Sequence, residues 1–120
     1  MPGLQKGSFD APDEVRDASG KGTIQIVKLD GLTATRATFQ PGWRWSEHIR
    51  PKAGTERCQV LHLGTVLSGR IHVVMDDGTE ADAGPGDVYV IPAGHDAWVV
   101  GNEPLTFVDV SSQMEGYAKG

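Results

Sequence analysis

A chain of 120 residues and 12.8 kDa is one domain, long enough to remove about 65% of its unfolded surface from water and too short for a second core. Its 38% apolar content, with sixteen glycines besides, excludes an intrinsically disordered chain. The net charge of −5 is spread without a block of Lys or Arg, so the attraction that anchors proteins to phosphate backbones is missing and nucleic acid is not expected as a partner.

In chain order, residues 1–22 are polar and interrupted by Pro2, Gly3, Gly7, Pro12, Gly20 and Gly22. They read as an arm with at most one short helical turn near 10–16, where Asp10 could cap and Pro12 could sit early in the turn. Asp10, Asp13, Glu14 and Asp17 stand where a secretion signal would be apolar, and no stretch approaches the roughly 18–20 apolar residues of a membrane span. A cytoplasmic location without a membrane partner is the expectation. The single Cys58 cannot staple its own chain, which suits a reducing compartment.

From Thr23 the pattern changes to short β-branched runs over 23–29, 32–39, 44–49, 60–67, 70–75, 87–91, 97–100 and 105–110, punctuated by Gly, Pro and Asp. That rhythm predicts an all-β sandwich or barrel. Asp77-Gly78 predicts a tight hairpin between 71–75 and 79–81. Pro85-Gly86 predicts a type II turn leading into 87–91. No amphipathic segment of helical period reaches core-helix length between 23 and 110. The domain reading is therefore an arm at 1–22, a barrel at 23–111, and a polar, loosely held tail at 112–120.

Two motifs resemble those of the cupin family. The first is Gly42, five residues, His48, closing at Gly69. The second is Gly86, five residues, Pro92-Ala93-Gly94. The resemblance spans about residues 39–110 and implies a double-stranded β-helix, the jelly-roll cupin barrel. The family's second His falls on Arg50, its Glu on His62, seven residues before Gly69, and its last His on Ala97. The chain is most similar to small single-domain cupins in which Cys58-Gln59-Val60-Leu61-His62 and Gly94-His95-Asp96-Ala97-Trp98 take over those places.

Neutral imidazole is the commonest protein ligand for transition metals, and three His with an open position is the pattern of a catalytic metal site. His95 and Ala97 face the same way on a strand, about 6.6 Å apart, so His95 points toward the place of the family's last His. The resulting expectation is one divalent ion (Zn, Fe, Mn, Ni or Cu) held by His48, His62 and His95. His72, between Ile71 and Val73, reads instead as a polar residue facing solvent or a neighbour.

Cys58 and His62 are about 13 Å apart along an extended strand, and share an ion only if the chain turns between them. Cys58 thus reads either as a further ligand or as a small buried hydrophobe lining the pocket; as a nucleophile it would need a base and a lowered pKa. Arg50 offers a fork for a substrate carboxylate or phosphate, and Trp98 a face for a flat ligand. Asp96 is placed to orient His95 or to finish the turn.

Two functions follow. One is a metal-dependent dioxygenase, isomerase or lyase acting on a small molecule; the other is a ligand-binding or sensory domain without metal. The family resemblance also implies a homodimer.

Overall fold

The computed structural model describes residues 3–118, apart from the side chain of Glu115, so what was expected of positions 1, 2, 119 and 120 lies outside the described residues. Nine strands are described: β1 (Glu14–Asp17), β2 (Gly22–Leu29), β3 (Leu32–Phe39), β4 (His62–Ser68), β5 (Ile71–Met75), β6 (Glu80–Ala83), β7 (Val88–Ile91), β8 (His95–Val99) and β9 (Leu105–Asp109). They form a six-stranded antiparallel sheet, β1-β2-β3-β9-β4-β7, and a three-stranded one, β6-β5-β8. The chain therefore folds as the double-stranded β-helix expected of it. Among the described residues no helix is long and apolar enough to cross a membrane.

Alternation builds the barrel. In β3, β8 and β9 every second side chain is buried, so Thr33, Thr35, Ala37, Phe39, His95, Ala97, Val99, Leu105, Phe107 and Asp109 face inward. Phe39 stacks flat on Trp43 with ring centroids 4.0 Å apart, and meets Phe107 edge-on at 5.6 Å. Turn chemistry holds the ends together. Gly86 has φ +87°, as the second central residue of a type II turn requires. At Gly69, φ is +76° and an added Cβ would stand 2.3 Å from the Pro104 carbonyl oxygen, so the close approach of the β9 entry tolerates no side chain.

Three expectations are corrected. Residues 44–49 are not a strand: α1 (Trp45–His48) and α2 (Arg50–Ala53) occupy this stretch, with Pro51 early in α2. Trp45 and Ile49 are both buried and four apart, which is the helical period, whereas strand alternation would bury the charged Glu47 with them.

The N-terminal segment forms no helix over 10–16; Glu14–Asp17 instead add β1 to the sheet, Glu14 opposite Ile26 and Asp17 opposite Thr23. Residues 112–118 are packed, where a loosely held tail was expected. Ser112–Gly116 form a 3₁₀ turn whose N-terminus is capped by the Ser111 hydroxyl, and Met114, Tyr117 and Ala118 are buried. Arg16, itself buried, donates to the Tyr117 carbonyl at 2.7 Å and to the Met114 carbonyl at 3.4 Å, which ties the first strand to the last described residues.

Candidate metal centre

Inside the barrel, Cys58, His62 and His95 bring one sulfur and two nitrogens within 4.8 Å of one another, and all three residues are buried. Each arrives by a different local device. Cys58 and His95 form an isolated antiparallel bridge, the Cys58 N–H donating to the His95 carbonyl at 2.9 Å, so their side chains leave the backbone on the same side. Residues 59–61, between the Cys58 bridge and the start of β4 at His62, belong to no strand. Sγ of Cys58 lies 3.6 Å from Nε2 of His62, close enough for both to share one ion.

The two imidazoles are held in one orientation by their other nitrogens. His62 Nδ1–H donates to Asp109 Oδ2 at 2.9 Å, and Asp109 is wholly buried. The other Asp109 oxygen accepts from the N–H groups of Ser111 at 2.8 Å and Leu63 at 3.4 Å. His95 Nδ1–H donates to the Pro92 carbonyl at 2.7 Å; a carbonyl only accepts, so the hydrogen sits on Nδ1. Both rings thereby keep an unprotonated Nε2, that of His62 facing the Cys58 thiol, the arrangement that prepares His to ligate a metal. Burial, followed by the neighbouring His62, holds the pKa of His95 down to about 4. Burial pushes the Cys58 thiol up to about 12, with Asp109 and Asp96 adding to the effect.

The cavity beside this cluster has a volume of about 20 Å³, room for one or two waters. It is walled by Phe39, Trp43, Trp45, Phe107 and Tyr117 among others, together with His62 and His95. Tyr117 lies edge-on to His62 at 5.5 Å. It also lines, with Trp45 and Cys58, an outer pocket of about 160 Å³ that reaches Lys52 and Thr55. Tyr117 and Trp45 form the partition between the two spaces. The indole N–H groups of Trp43 and Trp45 have no hydrogen-bond partner among the described residues, an omission that costs about 1–3 kcal/mol for each buried donor.

Of the residues singled out from the sequence, His62 and His95 come together, and Cys58 joins them. His48 does not. It ends α1, where its Nδ1 accepts from the Arg44 N–H at 3.0 Å, because residues 45–48 coil instead of pointing a strand into the barrel.

Arg50 lies in α2, 3.6 Å from Glu56, on an open surface groove outside the cavity. Trp98 is half-buried on the outer face of β8, between the Arg44 guanidinium at 4.1 Å and the His72 ring at 4.9 Å. His72 faces Glu80 at 3.2 Å and Asp82, outside the barrel as expected. Asp96 orients no imidazole; its Oδ1 accepts from the Ser46 N–H at 3.1 Å and its Oδ2 pairs with Arg44 at 3.5 Å.

Sequence reasoning missed Asp109 and Tyr117. The signal for Asp109 was present: Leu105, Phe107 and Asp109 share one face of a strand, and a carboxylate in an apolar row needs a partner. Tyr117 follows a polar stretch and carries no periodic signal.

The two-sheet β-helix thus encloses a buried thiol–imidazole cluster whose donor atoms could hold a metal ion. The chain belongs to the cupin domain family, whose profile matches residues 36–111. No curated protein sequence matches it. Among solved structures it is similar to a protein of unknown function from Rhizobium leguminosarum, at 23% identity over 92% of this chain and 97% of that one, TM-score 0.63. It is similar also to KdgF from Halomonas, at 21% identity over 81% and 83%, TM-score 0.57. Bacillus subtilis oxalate decarboxylase, which has Mn(II) centres, aligns at 21% identity over 82% of this chain and 28% of that one, TM-score 0.54. At these identities the likeness establishes the fold.

Proposed function

We propose that this cupin holds one divalent transition metal through Cys58 Sγ, His62 Nε2 and His95 Nε2, and acts on a small molecule in the adjoining cavity. The observation that carries the reading is the clustering of one thiol and two imidazoles within 4.8 Å, with both Nδ1 atoms engaged elsewhere and the His62 Nε2 facing the Cys58 sulfur at 3.6 Å. The donor set fits. In a tetrahedral site with metal–nitrogen and metal–sulfur distances of about 2.05 and 2.3 Å, nitrogen and sulfur lie about 3.6 Å apart, the separation seen between His62 and Cys58. A thiolate with two imidazoles suits Zn, Fe, Ni or Cu better than Mn.

Such an ion, when bound, polarises a carbonyl or lowers the pKa of a water at its open position. The chain's own residues do the rest. Asp109 and the Pro92 carbonyl fix the rings, the aromatic walls exclude bulk water, and Cys58 gives up its proton on binding, so metal uptake strengthens as pH rises. A dioxygenase, isomerase or lyase reaction is compatible with that site. The reading also takes the protein to be a cytoplasmic homodimer, whose second copy would cover the exposed Val88 and Val90.

The alternative is a ligand-binding domain without metal, which the high pKa of a thiol packed as a small hydrophobe favours. Elemental analysis of untagged protein separates the two. About one equivalent of metal is expected, lost in His62→Ala and Cys58→Ser and kept in His48→Ala. Less than a tenth of an equivalent after soaking in each ion would rule the metal reading out.

A further inference from the structure

We propose that residues 112–118 are a gate over the barrel. In place, the segment closes the cavity with Tyr117; released from Arg16, it joins the cavity to the outer pocket and admits a small molecule. Opening of this kind does not depend on whether the cavity takes a metal.

The closed cavity, about 20 Å³, has room for one or two waters, and the outer pocket adds about 160 Å³. Among the described residues, Trp45 and Tyr117 are the two that line both spaces. Most of the cavity wall is strand. Phe39, His62, Ile71, Ile91, Ala97 and Phe107 belong to strand ladders, so moving any of them breaks sheet hydrogen bonds. Trp45 begins α1 and is tied to Ile49, whose N–H donates to its carbonyl at 3.0 Å. Tyr117 follows a 3₁₀ turn that pairs with no strand, which makes it the part of the wall that moves at least cost.

A few polar ties keep the segment in place. Arg16, gripped by both Glu14 oxygens at 2.6 and 3.1 Å, donates to the carbonyls of Tyr117 at 2.7 Å and Met114 at 3.4 Å. Gln113 Oε1 accepts from the Leu61 N–H at 2.8 Å, beside the start of β4. The hinge falls after Ser111, whose own N–H is fixed to Asp109 at 2.8 Å. Ala118 works against these ties. Its φ of +54° lies in the left-handed region, which an L side chain disfavours by about tenfold. A segment latched at one residue and strained at the next opens without unfolding the sheets.

Cys58 reports the opening. It is the single thiol of the chain, 1% exposed, and it lines the outer pocket with Gly116, Tyr117 and Ala118. The full chain is stripped of metal with a chelator, since a bound ion would shield the thiol. It is then treated at fixed pH, in rising urea below the unfolding transition, with an aromatic disulfide too bulky for the 160 Å³ pocket. Labelling through the gate should depend on urea with less than about a third of the slope of equilibrium unfolding. Arg16→Met removes both ties to the tail and should speed labelling about ten- to hundredfold. Ala118→Gly relieves the strain and should slow it about threefold. Val99→Ala, a buried site in the other sheet, lowers global stability and should leave the rate in water unchanged.

A urea slope equal to that of global unfolding would overturn the proposal. So would wild-type labelling of Arg16→Met, faster labelling of Ala118→Gly, or labelling of Val99→Ala that rises with its instability. If Arg16→Met fails to fold, the wild-type slope and Ala118→Gly still decide. Metal content is measured on untreated samples: gated labelling in protein that takes up no metal sinks the metal reading alone, and metal uptake with ungated labelling sinks this one alone.

Discussion

Acidification should destabilise the metal-free protein largely through His95. Its pKa is about 4 in the folded chain, against 6.5 for the ordinary side chain, because the ring is buried beside another imidazole. Between those values the unfolded chain binds a proton that the folded one does not. Stability therefore rises with pH across this window, and is lost as pH falls through it. Over the whole window the loss is about 3 kcal/mol, set against the 5–15 kcal/mol that holds a domain of this kind together.

Urea unfolding of chelator-treated protein at pH 7.5, 6.5, 5.5 and 4.5 measures it, with His95→Gln as the reference because an amide keeps a donor for the Pro92 carbonyl and does not titrate. Other titrating groups contribute alike to both proteins. From pH 7.5 to 4.5 the wild type should lose about 2.5 kcal/mol more than the variant. Stability curves that stay parallel across this range would refute the assignment of the acid sensitivity to His95.

Tyr117→Ala should merge the cavity with the outer pocket and cost about 3–5 kcal/mol, as truncation of a buried aromatic does. Thermal unfolding gives the cost, and faster metal uptake by stopped flow would show that the partition is open. Gly64→Ala should prevent soluble expression or lower Tm by more than 10 °C. The added Cβ would stand 2.1 Å from the Val108 carbonyl oxygen, where β4 and β9 approach, and neither backbone can give way. A soluble Gly64→Ala protein with wild-type Tm would show that the strands are not so close.

The sequence by itself determined the barrel. Alternation in 32–39 and 105–110, Asp-Gly and Pro-Gly at the reversals, and the spacing of Gly69, Gly86 and Gly94 are local facts, because a strand's faces and a turn's dihedral angles depend on neighbours within a few residues. His62 and His95 were legible through the family resemblance, which puts a ligand position on His62, seven residues before Gly69, and another two residues after His95.

Only the tertiary structure decided which side chains share the site. Residues 44–49 suit either a strand or a helix until Trp45 and Ile49 find one core to fill, and that choice removed His48 and Arg50 from the cavity. Cys58 entered through a bridge to a residue 37 positions on, and Asp109 and Tyr117 through strand order and the fold-back of the tail. Contacts between residues so far apart in the chain leave no local period to read, so the donor set of the site is a property of the packed sheets and not of any one segment.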